Sequence, residues 1–287
     1  MRHPFASSHL WHICLYRTSD TSTTLPVNHR RNIARLALNP RGNLLLTVDE
    51  DGRAILTHLK RRISLYHFSL RSSPTALSFS PSGRYFAVGL GRDIEVWRTP
   101  DTPDQGADGE LEFAPFVKHR TYHGHYDDVR SIEWSSDGRF FLSGSRDHNA
   151  RIWSLDPEEG FTPTTLTGHK QAVMGAWFSK DQETVGRVFY MGMRRASTDV
   201  EQIYTVSKDG ALFQWKYQAR DIEFETPEEE EADARWRIAD RHYFMQNNAN
   251  VTCAAYHAES NILVVGFSNG VFVIYELPDF ITIQTLR

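Results

Sequence analysis

An all-β propeller, built from repeated four-stranded blades, is the fold this sequence predicts, and three observations predict it. The first is a phrase written twice. Gly124-His125 is followed by Ser143, Asp147 and Trp153, and Gly168-His169 by Thr205, Asp209 and Trp215, with the aromatic six residues after the acid in both copies. The second is a set of short alternating runs rich in Val, Ile, Phe and Trp, split by Ser-Asp-Gly and Arg-Asp-His-Asn turns, which is the pattern of an antiparallel meander. The third is self-similarity along the chain, with a Gly-His opening and an aromatic-ended strand, the mark of a propeller blade.

Taken in order, residues 1–28 form an atypical N-terminus in which Trp11 to Tyr16 and Thr23 to Val27 read as the last two strands of a blade lacking its first. Propeller blades then fill residues 29–287. The first spans Asn32 to Leu59 around Asn39-Pro-Arg-Gly42, and the second Pro74 to Trp97 around Ser80-Pro-Ser-Gly83. The clearest runs from His123 through Trp134, Phe140 and Trp153 to a fourth strand at Thr164 to Leu166; copies follow at Gly168 to Trp215 and Asn250 to Tyr275, and Ile281 to Leu286 reads as an outer strand. Five blades are recognisable, with partial blades at both ends. A ring needs closure to protect its edges, so the propeller is expected to be incomplete, a part of a larger product that exposes sheet edges when purified alone.

Composition sets bounds. With 40% hydrophobic and 12% aromatic residues, 287 residues can bury a large core, which excludes a disordered chain. A net charge of -4 favours neither nucleic acid nor a membrane in bulk, so such contacts must come from local patches. Cys14 and Cys253 make no CxxC motif and no disulfide framework, which fits a reducing compartment. The stretch from Phe5 to Tyr16 is interrupted by Ser7, Ser8, His9 and His12 and makes neither a signal peptide nor a membrane span.

The repeated phrase resembles the WD-repeat family, whose blades carry a buried hydrogen-bond chain from His through Ser or Thr and Asp to a strand Trp. Residue by residue, that chain falls on His125, Ser143, Asp147 and Trp153, and on His169, Thr205, Asp209 and Trp215. The first blade keeps His29, Thr47 and Asp51 but has Thr57 at the Trp position. The second has Ala87 and Gly91 in place of the hydroxyl and the acid; the fifth has Asn269 and Tyr275 in place of Asp and Trp. Those two blades are expected to rely on apolar packing. A Ser, His and Asp in one unit also invite comparison with a hydrolase triad, but a triad is defined by geometry and an exposed nucleophile. A trio that recurs in register with strands reads instead as a buried, mutually satisfied network. No Gly-rich phosphate loop follows a strand and no His/Cys cluster has metal-ligand spacing, so neither catalytic residues, cofactor nor metal is expected.

The repeat breaks in three places. Successive turn positions, Asp51, Gly91, Asp147, Asp209 and Asn269, are 40, 56, 62 and 60 residues apart, where blades prefer about 40 to 45. Thr99 to Gly109 is a Pro/Gly/Asp loop. Residues 219–235 form an acidic loop, with eight acids and no base between Asp221 and Asp233; it reads as solvated chain, with a docking strip for a basic partner as the alternative. Residues 185–202 separate a turn from the strand it should feed, and removing these 18 residues cuts the step from 62 to 44. Val185-Gly186, Thr198-Asp-Val200 and Gln202 are compatible with splice-signal codons, so an in-frame retained intron is one reading and an ordinary surface insertion the other.

Several stretches exceed generic repeat grammar: His29-Arg-Arg-Asn-Ile-Ala-Arg35, Gly42 to Ile55, Gly109 to Phe116, Arg151 to Gly160 and Arg241 to Asn248. Together they resemble the first propeller of the periodic tryptophan protein 2 family over about Thr23 to Leu286. The resemblance implies a nucleolar, non-catalytic scaffold of the UTP-B subcomplex. Its expected partners are other UTP-B and small-subunit processome proteins, pre-rRNA and snoRNP, with no membrane and no small-molecule substrate, and its role is in 18S rRNA maturation. That family also carries a second propeller and a helical domain. The alternative, supported only by the shared fold, is an adaptor for another complex such as a ubiquitin-ligase substrate receptor. Arg30, Arg31 and Arg35 near one strand entry, and Lys60, Arg61 and Arg62 before another strand, are candidate phosphate contacts; the competing reading is charge that protects sheet edges.

Overall fold

The computed structural model describes residues 14–16, 22–25, 27–100, 116–157, 160–179, 202–218, 235–244 and 249–287. Every regular element among them is a β-strand. A two-stranded pair, β1 (Cys14–Tyr16) and β2 (Ser22–Thr24), comes first. Five four-stranded antiparallel sheets follow, each a meander in sequence order. The first sheet is β3 (Ile33–Leu38), β4 (Leu44–Asp49), β5 (Arg53–His58) and β6 (Ile63–Ser69), and the second β7 (Ala76–Phe79), β8 (Tyr85–Leu90), β9 (Asp93–Arg98) and β10 (Val117–Tyr122). The third is β11 (Val129–Trp134), β12 (Phe140–Ser145), β13 (Ala150–Ser154) and β14 (Thr164–Leu166). The fourth is β15 (Val173–Phe178), β16 (Gln202–Ser207), β17 (Ala211–Gln218) and β18 (Arg235–Tyr243), and the fifth β19 (Val251–His257), β20 (Ile262–Phe267), β21 (Phe272–Glu276) and β22 (Ile281–Leu286). These are WD-repeat propeller blades, the expected all-β class.

The chain divides into two compact units, Met1–His123 with the first two sheets and Gly124–Arg287 with the other three. Within each, sheets stack face to face, and this explains why second strands break the half-buried alternation of an ordinary antiparallel strand. All six residues of β4 and of β12 are buried, because both faces meet apolar neighbours. In the first unit Leu44, Leu46 and Leu56 pack on Phe79, Phe86 and Val88. In the second, Leu142 and Ile152 pack on Val173, Ala176 and Phe178, and the next layer joins Tyr204, Val206 and Leu212 to Leu263, Val265 and Val273. Fully buried Phe86, Phe140 and Phe178 each contribute about 3–5 kcal/mol by the cost of truncating such side chains. Close stacking also sets a glycine: a Cβ on Gly144 would lie 2.7 Å from Ser131 Oγ and 2.8 Å from Val173 Cγ1.

The sequence-expected strand borders fall near the observed ones. The first-blade face bearing Leu45 and Ile55 is covered by Leu25 and Val27, from the segment following β2. Residues 101–115, most of the Pro/Gly/Asp loop, lie outside the described residues, as do 219–234 of the acidic loop and 185–201 of the expected insertion. The last residue of that insertion does not. Gln202 opens β16, its carbonyl accepts from Ser179 N at 2.9 Å, and its Oε1 accepts from Tyr204 Oη at 2.9 Å and Gln214 Nε2 at 2.7 Å.

Candidate functional site

In the third sheet, β12 carries Ser143 at its centre, β13 carries Trp153, the segment entering β11 carries His125 and the β12–β13 turn carries Asp147. All four meet. Trp153 Nε1 donates to Ser143 Oγ at 2.7 Å, and Ser143 Oγ is 2.6 Å from His125 Nε2, so the single hydroxyl proton goes to the imidazole. His125 Nδ1–H then donates to Asp147 Oδ2 at 2.8 Å, and Asp147 also accepts from Tyr126 N at 2.9 Å and Asn149 N at 3.0 Å. Burial acts to raise the Asp147 pKa, but the hydrogen bonds from His125 and the two backbone N–H groups outweigh it and hold the carboxyl well below its ordinary value. Ser143 is completely buried and its hydroxyl is committed on both sides, the arrangement of a strand-locking network rather than of a nucleophile.

The fourth sheet brings together three of its four expected residues. Trp215 Nε1 donates to Thr205 Oγ1 at 2.8 Å, and Thr205 Oγ1 lies 2.7 Å from His169 Nε2. Asp209 does not hydrogen-bond His169, which corrects the expected tetrad. Its carboxylate is taken at 2.5 Å by the Ser207 hydroxyl, and it is exposed, while His169 Nδ1 is buried with no hydrogen-bond partner among the described residues. The imidazole instead stacks flat on Phe213, centroids 4.0 Å apart and 8° between planes. Burial drives the His169 pKa down to about 4, against the pull of the Asp209 charge and with a further push from His148. His169 and its hydroxyl partner are 36 residues apart, against 18 in the first and third sheets. The 18-residue excess equals the expected insertion, so the same hydrogen bond closes across it.

The first sheet requires a second correction. His29 Nε2 lies 2.8 Å from Thr47 Oγ1 as the pattern expects, but its Nδ1 faces Asp49 Oδ2 at 3.1 Å, not Asp51. Asp49 sits two residues after the hydroxyl, where the third and fourth sheets have Ser145 and Ser207, and it also accepts from Asp51 N at 3.1 Å and Arg53 N at 2.8 Å. One buried carboxylate thus does the work of the turn serine and the turn acid, which frees Asp51 to pair with Arg31 at 3.3 Å on the surface. At the Trp position, Thr57 is buried and its Oγ1 has no partner among the described residues.

The second sheet was expected to depend on apolar packing, and Phe79, Phe86, Val88 and Leu90 supply it; beside that core it carries a polar network of a different kind. Trp97 Nε1 donates to buried Glu95 Oε2 at 3.1 Å, Lys118 Nζ reaches Glu95 Oε1 at 3.4 Å, and Arg71 Nη2 and His123 Nδ1 reach Asp93 at 2.6 and 2.8 Å. Burial acts to raise the Asp93 pKa, but Arg71 and His123 prevail and lower it. In the fifth sheet the apolar expectation fits: Tyr275 packs on Phe244 with centroids 4.4 Å apart, and His242 stacks on Phe280 at 4.6 Å.

The candidate phosphate contacts are not one patch. Arg30 and Arg31 precede β3, whereas Lys60, Arg61 and Arg62 form the β5–β6 turn. Because β3 and β5 run in the same direction, these groups sit at opposite ends of the sheet, roughly 17–20 Å apart for six-residue strands. Arg31 is paired with Asp51, and Arg35 donates to the carbonyls of Thr75 at 2.9 Å and Ala34 at 2.7 Å. Lys60, Arg61 and Arg62 are all exposed, with Arg62 at φ 55° turning the chain.

Comparison with known proteins adds identity to this geometry. The WD domain, G-beta repeat, family pattern matches residues 116–154, the span from the start of β10 to the end of β13. The chain is 62% identical over 92% of its length to a periodic tryptophan protein 2 homolog of Neurospora crassa, 49% over 96% to the Schizosaccharomyces pombe homolog, and 42% over 93% to periodic tryptophan protein 2 of Saccharomyces cerevisiae. The chain belongs to the periodic tryptophan protein 2 family. It spans 27%, 30% and 28% of the lengths of those three relatives.

Reading the repeat missed Asp49, and the second-sheet carboxylates Asp93 and Glu95. A signal existed for two of them: Asp49 is an acid two residues after the strand hydroxyl, and Glu95 an acid two residues before the strand tryptophan, where alternation puts both side chains on one face.

Proposed function

We propose that this chain is part of a non-catalytic nucleolar scaffold in small ribosomal subunit assembly. There it helps organise UTP-B and other processome proteins with pre-rRNA and snoRNP for 18S rRNA maturation. The observation that carries the reading is membership of the periodic tryptophan protein 2 family at 62% identity to one relative. The buried networks support it, because the Ser, Thr, His and Asp side chains with catalytic potential are spent on fixing strands, leaving turns and outer strands to meet partners. Affinity purification of the tagged protein in its full-length context, followed by sequencing of bound RNA and mass spectrometry, tests the proposal. Recovery of the 5' external spacer of pre-rRNA with UTP-B proteins is the expected result. Recovery of a cullin-type ligase without pre-rRNA would replace it with the adaptor reading.

A further inference from the structure

Three adjoining turns at one end of the first unit carry exposed basic residues. The β3–β4 turn, Asn39-Pro-Arg-Gly-Asn43, is tied to the β5–β6 turn by a hydrogen bond from Leu59 N to Asn43 O at 2.8 Å. On its other side it meets the β7–β8 turn, Ser80-Pro-Ser-Gly-Arg84: a Cβ on Gly83 would contact Pro40 Cδ at 3.8 Å and Asn39 Nδ2 at 3.9 Å. These adjoining turns carry Arg41, Lys60, Arg61, Arg62 and Arg84, all exposed, and no Asp or Glu. The corresponding turns of the second unit are of the other kind, with Asp137, Asp156, Glu259 and Asp279, and there Arg139 lies 3.8 Å from Asp137.

We propose that the adjoining β3–β4, β5–β6 and β7–β8 turns contact the sugar-phosphate backbone of single-stranded RNA, and that Arg30, Arg31 and Arg35 do not. The proposal rests on the ribosome-assembly reading for the identity of its RNA, but its chemistry stands on the turns. Four of the five bases are arginines, whose planar guanidinium forks match phosphate oxygens in pairs. Turns held by backbone hydrogen bonds present those side chains from a fixed platform, so less ordering entropy opposes binding. At the opposite end of the first sheet, Arg31 already has Asp51 and Arg35 is engaged with backbone carbonyls. Contacts of this type read charge and spacing rather than base sequence.

Fluorescence anisotropy of the purified chain with a labelled oligouridine RNA of about 20 nucleotides, over a range of salt concentrations, tests this. Reversing three charges in Lys60→Glu/Arg61→Glu/Arg62→Glu should weaken binding more than about tenfold at low salt and flatten the log-log salt slope by about 2, the value for three lost single-strand phosphate contacts. Arg84→Glu should give a smaller loss in the same direction, and Arg30→Glu/Arg31→Glu should stay within about twofold of the parent. Equal melting temperatures would show that the variants fold, and Arg61→Gln provides a milder version of the same change. Binding unchanged in the triple variant, an equal loss in Arg30→Glu/Arg31→Glu, or binding of labelled polyglutamate as tight as that of RNA would overturn the proposal, the last assigning the turns to an acidic protein. If these turns bind RNA in vitro while the tagged protein recovers no pre-rRNA from cells, the surface stands and the scaffold reading falls. If pre-rRNA is recovered but the triple variant binds RNA normally, the reverse holds.

Discussion

The third and fourth sheets spell the same pattern of His, hydroxyl, Asp and Trp, yet one completes a hydrogen-bond chain and the other stops one link short. In the third, Ser145 donates to the Asp127 carbonyl at 3.0 Å and leaves Asp147 to His125. In the fourth, Ser207 captures Asp209, and Phe213, standing where the third sheet has Arg151 opposite the strand hydroxyl, holds His169 face-on. The lesson is that the residue letters define candidates for a network, while membership is decided by competition among neighbouring donors that the repeat pattern does not include.

That contrast predicts unequal costs for equal mutations. Asp147→Ala leaves His125 without its acceptor inside a site where the two side chains are 5% and 0% exposed, and breaking such a buried pair costs about 3–5 kcal/mol. Asp209→Ala removes only an exposed carboxylate hydrogen-bonded to Ser207, and should cost under about 1 kcal/mol. Urea unfolding of both variants beside the parent checks this; equal losses would mean that Asp209 belongs to the network after all.

The pH profile offers a second separation. His169 has its folded pKa depressed to about 4 from an ordinary 6.5, so its neutral state is favoured by folding and the unfolded chain binds the extra proton. Stability is then full above pH 6.5 and falls as pH drops towards 4, by up to about 3 kcal/mol at 1.36 kcal/mol per pKa unit. Asp147, also depressed, loses its contribution only below its ordinary value of 3.8, outside that window. His242 is lowered by burial as well, so the decisive comparison is with His169→Gln, which should remove most of the slope between pH 6.5 and 4 when melting is followed across buffers. A slope unchanged by that substitution would place the effect elsewhere.

A third test concerns the layer between these two sheets. Glu133 pairs with Leu142 in the β11–β12 register, and Leu142 belongs to the core packed against the fourth sheet. Burial raises the Glu133 pKa to about 7 from 4.5. Here the folded state holds the proton more tightly, so its contribution is full below pH 4.5 and is lost as pH rises through 7. Glu133→Gln should therefore raise stability at pH 8 by about 1–2 kcal/mol and change little at pH 4, opposite in sign to the His169 effect. A variant no more stable than the parent at pH 8 would show that the carboxylate finds relief there.

How much of this was legible in the chain follows from the same physics. Strand number and order were readable because apolar alternation, positive-φ turn glycines such as Gly42 and Gly83 and the Gly-His openings are local signals. The Trp-hydroxyl-His links were readable because strand register fixes them: Ser143 lies directly opposite Arg151, and Trp153 two residues further on the same face. The acid was less legible, since a turn carboxylate has several reachable donors. Hence Asp49 took the place expected for Asp51, and the second sheet built its network on Glu95 and Asp93. The split of the basic residues between two ends of a sheet needed strand direction as well as sequence.

The smallest effect belongs to the segment that separates the fourth sheet from the third in length. The His169–Thr205 bond forms across the extra 18 residues, which shows that the sheet does not need the shorter connection. Deleting residues 185–202 shortens the connection between Ser179 and β16, and each halving of a connection's length returns only about 0.6 kcal/mol of closure entropy. Against this gain stands the loss of Gln202, whose side chain accepts from Tyr204 and Gln214 and whose place at the strand start would pass to Thr184. One or two such hydrogen bonds are worth about 1 kcal/mol each, so the two terms nearly cancel. Deletion of 185–201, which keeps Gln202, should be slightly more stable than deletion of 185–202, and both should melt within a few degrees of the parent. A collapse of the fold in either would show that the inserted residues are integral to the fourth sheet and not a tolerated addition to it.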